Sequence, residues 1–244
     1  MRILITGSTG FVGRYLVKLL ENNNYQIHRI VRAKKGYPNE HIWDFSGNIP
    51  SYIPECEIIV HLAAYVDFGT SFNYEQYLVN TISTLRLLDY AKKYGSYLIF
   101  SSMAGVHGSK YEIVNEHTPI SPENNYALSK YIAEEIIRIY HDNYTILRIG
   151  GIYGIDGPYH LGLNTAIKNA VYYKKPPTNN FCYKLYMYGF YPDKLLAEKD
   201  NSISPGRYSP LGSLLPLCLN HDRLVGLCSP CHHGGLVGSA PSLL

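Results

Sequence analysis

The chain of 244 residues has one tryptophan, three methionines and five cysteines, and only 17% of it is charged. Five is an odd count, and Cys56, Cys182, Cys218, Cys228 and Cys231 are too unevenly spread to outline a disulfide framework. No apolar run approaches the ~18 residues that a membrane span needs. An excess of one charge sign is missing too. The 22 lysines and arginines outnumber the 19 acids by a scattered +3, too weak a bias to argue for a nucleic-acid or membrane surface. Met1-Arg2-Ile3-Leu4-Ile5-Thr6-Gly7 runs straight into a strand pattern and leaves no room for a signal peptide. These shortages predict a soluble, cytoplasmic protein. What the chain does have is 46% apolar residues, which excludes a disordered polymer, and length enough for one large α/β domain, or a domain and a half, with a real core.

Composition changes along the chain. All thirteen lysines and 23 of the 24 tyrosines precede residue 201, whereas the last 44 residues hold ten leucines, five prolines, six glycines, three cysteines and a single acid, Asp222. A single globular domain rarely changes vocabulary so abruptly. The informative part is therefore residues 1 to about 175.

Over the first 150 residues, short β-branched runs alternate with helical patterns. Strands are predicted at Arg2–Thr6, Gln26–Val31, Glu57–Leu62, Tyr97–Ser101 and Thr145–Ile149. Helices are predicted at Phe11–Leu20, Tyr74–Tyr94 and Tyr126–Tyr140, the second with Leu78, Ile82, Leu85 and Leu88 on one face. Alternation of this kind implies right-handed βαβ crossovers and a parallel sheet.

Gly7-Ser8-Thr9-Gly10-Phe11-Val12-Gly13 follows the first strand and opens the first helix. Here glycine permits a tight turn, close backbone approach to a pyrophosphate, and close packing of helix on strand. The helix N-terminus supplies N–H donors to the anion. Spacing alone is weak evidence; the strand before and the helix after carry the reading. An NAD site wants an acid at the end of the second strand. This chain has Val31-Arg32 and then Lys34-Lys35. A guanidinium there matches a 2′-phosphate, which favours NADP over NAD, although solvated surface cations would look the same.

Tyr126-Ala127-Leu128-Ser129-Lys130 places a phenol and an ammonium at i and i+4, on one helical face. An ammonium beside a phenol lowers the phenol's pKa, which suits a proton-transferring tyrosine. The pair follows a strand that ends in Ser101-Ser102, whose hydroxyl can bond a reacting oxygen beside the tyrosine.

With these residues in place, the chain resembles an extended short-chain dehydrogenase/reductase of the NAD(P)-dependent sugar-nucleotide epimerase/dehydratase group, from Met1 to about Pro176. The resemblance rests on Gly7, Gly10 and Gly13; Asp44-Phe45, where the family has an aspartate near the adenine; and His61-Leu62-Ala63-Ala64. Asn80, Ser101-Ser102, the Tyr126–Lys130 segment and Leu147-Arg148-Ile149-Gly150-Gly151-Ile152-Tyr153-Gly154 complete it. It implies a doubly wound parallel Rossmann sheet over residues 1–157, an incomplete or divergent substrate lobe over 158–200, and an atypical tail over 201–244 that reads as a frameshifted, fused or truncated ending. The resemblance further implies Tyr126 as catalytic acid/base, Lys130 on the nicotinamide ribose, and a supporting hydroxyl. Gly7, Thr9, Gly10, Phe11, Val12, Gly13, Arg32, Asp44, Phe45, Leu62, Ala63, Ala64, Asn80 and Ser101 would join Tyr126 and Lys130 in holding the cofactor. The expected partners are a nucleotide sugar and a second copy docked through the long helices.

Two departures from the family pattern matter. The usual catalytic Ser/Thr position is Met103, so the hydroxyl is assigned to Ser102, with Ser101 the alternative. Ala104 and Gly105 follow where dehydratases and decarboxylases of the family place an acid, which disfavours those chemistries. Epimerisation by transient oxidation, or carbonyl reduction, is expected; the competing reading is a nucleotide-binding protein without turnover. His107 reads as a packing substitution for the family's tyrosine. The aromatic residues between Tyr172 and Tyr191 lack the interleaved arginines of a base-stacking surface. Cys228-Ser229-Pro230-Cys231-His232 matches a haem-attachment pattern and, with Cys218, His221 and His233, could hold zinc, but the segment is rich in breakers and no metal is assigned.

Overall fold

A computed structural model describes residues 1–152, 154, 157, 158, 164 and 165, and the backbone of the strand at 187–190. The lobe and tail expected at 158–244 lie almost wholly outside the described residues, as do the aromatic cluster and the Cys/His motif.

Seven strands form one sheet: β1 (Arg2–Thr6), β2 (Gln26–Val31), β3 (Glu40–Ile42), β4 (Ile58–His61), β5 (Tyr97–Met103), β6 (Tyr144–Ile149) and β7 (Met187–Phe190). Their order is β3-β2-β1-β4-β5-β6-β7. The first six are parallel, and β7 pairs antiparallel with β6. Helix α1 (Phe11–Asn22) follows β1, α2 (Tyr74–Tyr77) and α3 (Ser83–Tyr94) precede β5, and α4 (Asn125–Tyr140) precedes β6. This is the doubly wound parallel arrangement the sequence predicts.

Alternation along the strands builds two cores. Leu4, Ile59, Leu98, Phe100 and Ile146 point to the layer of Leu87, Leu88, Ala91, Ala133 and Ile137. Ile3, Ile5, Ile27, Ile58 and Val60 point to Leu16, Val17 and Leu20 of α1. Both faces of the strands are covered, which explains their near-continuous apolar runs. The chain winds outward from β1 to β3, then returns to β4 on the other side of β1. The sheet therefore switches direction between β1 and β4, and a crevice opens at their C-terminal ends.

The structure differs from the sequence reading in several places: β7 was not predicted, and β5 runs to Met103 rather than Ser101. β3 escaped it because three residues carry no visible period. The predicted Glu57–Leu62 strand narrows to Ile58–His61. The predicted Tyr74–Tyr94 helix is interrupted by a π-helical stretch at Leu78–Ile82, and its apolar stripe splits: Leu88 is buried in the core, whereas Leu78 and Leu85 are only half-buried and Ile82 is 39% exposed. The inner face is instead polar over its first half, carrying Gln76, Asn80, Thr81 and Thr84. Three of these are paired. Asn80 bonds Tyr65 and Ser129, Thr81 donates to the Ser129 carbonyl at 2.9 Å, and Thr84 bonds His61. Buried polar groups with built-in partners are invisible to a hydrophobic period.

Candidate active site

The turn after β1 divides its three glycines by task. Gly7 takes φ +71°, and a Cβ there would sit 2.7 Å from the Ala63 nitrogen. A Cβ on Gly13 would lie 2.1 Å from the Gly7 carbonyl oxygen, so helix α1 can pack this closely on the turn only through glycine. Gly10 is different. Its backbone is ordinary at φ −72° and ψ 175°, and a Cβ would meet only the Gly7 oxygen, at 3.2 Å. It faces the crevice, where a side chain would fill space against a ligand. Helix α1 starts with no side-chain cap, so its first N–H groups are presented to an anion.

The ends of β1 and β4 are stitched together behind this turn. His61 Nδ1 bonds Thr6 Oγ1 at 2.6 Å, and the Ala63 N–H donates to the same oxygen at 3.1 Å. His61 Nε2 lies 3.1 Å from Thr84 Oγ1. Burial, with the nearby Lys130 adding to it, holds the imidazole pKa well below its ordinary value, so His61 is a neutral strut.

A cavity of about 600 Å³ opens at this end of the sheet. Gly7, Gly10, Phe11, Val12 and Gly13 form one wall, Leu62 and Ala64 the floor beside them, and Ser101, Ser102, Met103 and Tyr126 the opposite side. Val66, Phe68, Tyr111 and Val114, which sequence reasoning did not single out, and Ile152 of the motif after β6 make the remainder largely apolar. Of the other predicted cofactor residues, Thr9, Arg32, Asp44, Phe45, Ala63, Asn80 and Lys130 do not line it.

Those residues have definite places. Thr9 is exposed on the turn, and Arg32 is exposed just past the end of β2. Asp44 Oδ1 accepts from the Ser46 N–H at 2.9 Å and from its hydroxyl at 2.7 Å, which holds the carboxyl below its ordinary pKa. Phe45 is buried with its ring 4.7 Å from Trp43, and its carbonyl accepts from Arg86 of α3 at 2.9 Å. Asn80 accepts from the Tyr65 N–H at 2.8 Å and donates to Tyr65 O and Ser129 Oγ, both at 2.9 Å. It positions the loop after β4 and the helix bearing Tyr126.

Helix α4 begins where Asn124 accepts the Ala127 N–H at 2.8 Å, which fixes Tyr126 in the first turn beside the cavity. The Tyr126 ring meets Phe68 edge-on at 5.5 Å. Lys130 is fully buried, its Nζ has no hydrogen-bond partner, and it lies 4.1 Å from the Phe100 ring centroid. The expected electrostatic partnership is not seen. Burial pushes the Tyr126 phenol up to about 12. Burial also pushes the Lys130 amine down to about 7, against the opposing influence of Glu134. Desolvation of each group outweighs any effect of the ammonium on the phenol, because the amine is tucked against Phe100.

The serines are engaged as well. Ser101 Oγ donates to the His61 carbonyl at 2.9 Å. Ser102, only 5% exposed, donates its hydroxyl to the Glu134 carboxylate, while Met103 takes a place on the cavity wall. With its one hydroxyl hydrogen on Glu134, Ser102 keeps only acceptor capacity toward the cavity. His107 is buried, bonding Pro119 O at 3.3 Å and Arg148 Nη1 at 3.1 Å, as its reading as a packing residue implied. Asn164 pins the loop after β6 by accepting from the Gly154 N–H at 2.8 Å and donating to Ile152 O and Pro158 O. Glu134 was missed by the sequence reading. The available signal was an acid one turn beyond Lys130 on a face otherwise built to be buried.

Comparison with known proteins places this geometry. The chain is 31% identical over 171 residues to a putative UDP-glucose 4-epimerase of Methanocaldococcus jannaschii, a match covering 62% of this chain and 56% of the relative. It is 30% identical over 181 residues to GDP-mannose 4,6 dehydratase 2 of Caenorhabditis elegans, covering 61% and 47%. The chain thus spans about half the length of the curated relatives it matches. In fold it superposes on the UDP-glucuronic acid 4-epimerase of Bacillus cereus, crystallised with UDP-glucuronic acid and NAD, with a TM-score of 0.60 and 24% identity over 72% of this chain and 65% of that one. Residues 3–172 match the model of one family, and the chain belongs to it: the NAD dependent epimerase/dehydratase family.

Proposed function

We propose that this chain carries out nicotinamide-dependent oxidoreductase or epimerase chemistry at a hydroxyl or carbonyl carbon of a nucleotide sugar. The observation that carries the reading is that Tyr126 and the glycine turn share one cavity. Three features suit a dinucleotide: the open face of Gly10, the uncapped start of α1, and the buried Lys130 amine that lacks a partner. The turn from Gly7 to Gly13 would hold the pyrophosphate, Asp44-Phe45 the adenine side, and Lys130 the nicotinamide ribose. Arg32, exposed past β2, favours NADP over NAD as a 2′-phosphate partner.

The bound nicotinamide supplies a hydride acceptor or donor. Tyr126 gives or takes the proton on the substrate oxygen; raised by burial, its phenol stays protonated until a substrate or cofactor charge draws the proton away. Ser102 supports the same oxygen after leaving Glu134. Val66, Phe68 and Met103 exclude water from the reacting carbon. Among the described residues no carboxylate lines the cavity, which supports epimerisation or reduction over dehydration. The commitment of Ser102 to Glu134 favours, as a second reading, a nucleotide-binding protein without turnover.

No helix among the described residues is long and apolar enough to cross a membrane. We assign the protein to the cytoplasm and its half-exposed Leu78, Ile82 and Leu85, with exposed Leu128 and Ile139 of α4, to a homodimer contact through the long helices. The test is incubation with a panel of UDP-, GDP- and dTDP-sugars and each nicotinamide nucleotide, with products identified by mass spectrometry. An epimerised or reduced sugar is expected. Nucleotide binding without any product selects the second reading, and no nucleotide binding refutes both.

A further inference from the structure

Behind the cavity wall lies a buried ionic hub of which the reaction outlined above uses only Ser102. Glu134 is fully buried on the inner face of α4, one turn beyond Lys130. Oε1 accepts from the Ser102 hydroxyl and from Arg148 Nε at 3.1 Å. Oε2 accepts from Arg148 Nη2 at 2.6 Å and from Arg138 Nη2 at 3.1 Å. Ser102 belongs to the end of β5 and Arg148 to the end of β6, and both neighbours of Ser102 line the cavity. Arg148 Nη1 then meets His107, and His107 meets the Pro119 carbonyl. The hub therefore extends into the loop that brings Gly108, Ser109, Tyr111 and Val114 to the cavity.

The helix and strand are in matched register here. Lys130 and Glu134, four apart on α4, face Phe100 and Ser102, two apart on β5. About 6 Å of helix thus spans about 6.6 Å of strand. Any slip of α4 that moved Glu134 off Ser102 would also move the Lys130 amine off Phe100.

We propose that Glu134 is a positioning residue for the Tyr126–Lys130 pair: its carboxylate locks α4 to the ends of β5 and β6 and supplies a counter-charge that favours the ammonium form of Lys130. The proposal takes Tyr126 and Lys130 to be the reactive pair. Among the described residues, the groups around Lys130 are few. Tyr126 and Glu134 come from its own helix and neutral His61 from β4. Phe100 and Ser102, both uncharged, come from β5. Arg148, already bonded to Glu134, comes from β6. Glu134 is the one acid among them. Burial pulls the amine down toward neutrality and Glu134 raises it, so that carboxylate favours the lysine's charged form.

The experiment follows the titration of Lys130 in protein labelled with carbon-13 at the lysine ε-carbon, the signal being identified by its loss in Lys130→Met. In the wild type the amine should titrate near 7. Glu134→Gln, which keeps the shape and removes the charge, should lower that value by about one unit or more. Glu134→Asp, which withdraws the charge by one methylene, should lower it by less. Ser102→Ala, which removes a hub member but leaves the carboxylate, should leave the titration in place. An unchanged Lys130 titration in folded Glu134→Gln overturns the proposal, as does an equal shift in Ser102→Ala, which would mean general loosening. If Glu134→Gln does not fold, Glu134→Asp decides, and no shift there is equally fatal. Because the titration needs no substrate, failure of the sugar panel leaves this result standing, and the reverse.

Discussion

The Lys130 amine rests 4.1 Å from the centre of the Phe100 ring, fully buried and with no hydrogen-bond partner. An aromatic face compensates only part of the hydration that an ammonium loses. Lys130→Met should therefore stabilise the fold, by about 1–3 kcal/mol near neutral pH. The gain has a pH signature. Burial lowers the amine to about 7 from the ordinary 10.5, so between those values the unfolded chain holds a proton that the folded chain does not. Stability from this group rises with pH across that window. Urea melts of wild type and Lys130→Met should show the largest advantage of the variant below pH 7 and a shrinking one toward 10.5. A pH-independent difference would mean that the amine is not buried as an ammonium.

Tyr126→Phe keeps the ring against Phe68 and removes the transferable proton. Turnover on any accepted sugar nucleotide should fall by about 10²–10⁴, with nucleotide affinity little changed. Steady-state kinetics alongside calorimetric titration of the cofactor checks both halves. Retained turnover would remove Tyr126 from the chemistry.

The two glycines at the helix start should fail differently. A Cβ on Gly13 would collide with the Gly7 oxygen at 2.1 Å, so Gly13→Ala should lose about 1–3 kcal/mol of stability through overpacking. At Gly10 the corresponding contact is 3.2 Å and the backbone is ordinary. Gly10→Ala should melt close to the wild type yet bind dinucleotide at least about tenfold more weakly, about 1.4 kcal/mol. Thermal melts and nucleotide titrations on both variants separate the two effects.

Cofactor choice turns on Arg32. If its exposed guanidinium clamps a 2′-phosphate, the wild type should prefer NADPH over NADH by about 1.5–3 kcal/mol, and Arg32→Ala should erase that preference while leaving NADH affinity in place. Equal affinities in the wild type would end the NADP assignment.

The sheet was readable in advance because its strands are buried on both faces and advertise themselves as β-branched runs. Arg2–Thr6 and Gln26–Val31 match to the residue. The glycine turn was readable because strand, three glycines and helix are adjacent in sequence, and tight local geometry leaves few alternatives to glycine. The Tyr126–Lys130 spacing likewise needed only the helical repeat.

Tertiary structure decided what depends on partners distant in the chain. Which side of the Tyr74–Tyr94 segment faces inward was settled by Asn80, Thr81 and Thr84 finding Tyr65, Ser129 and His61. Whether Ser102 offers its hydroxyl to the cavity was settled by a carboxylate 32 residues away. Whether Lys130 lowers the Tyr126 phenol was settled by how deeply each is buried. The sequence by itself determined the central parallel strands, the glycine turn and the one-face spacing of Tyr126 and Lys130, since local period and spacing encode them. The protonation and pairing of those side chains follow from desolvation and long-range hydrogen bonds, which exist only once α4 is packed across the ends of β5 and β6.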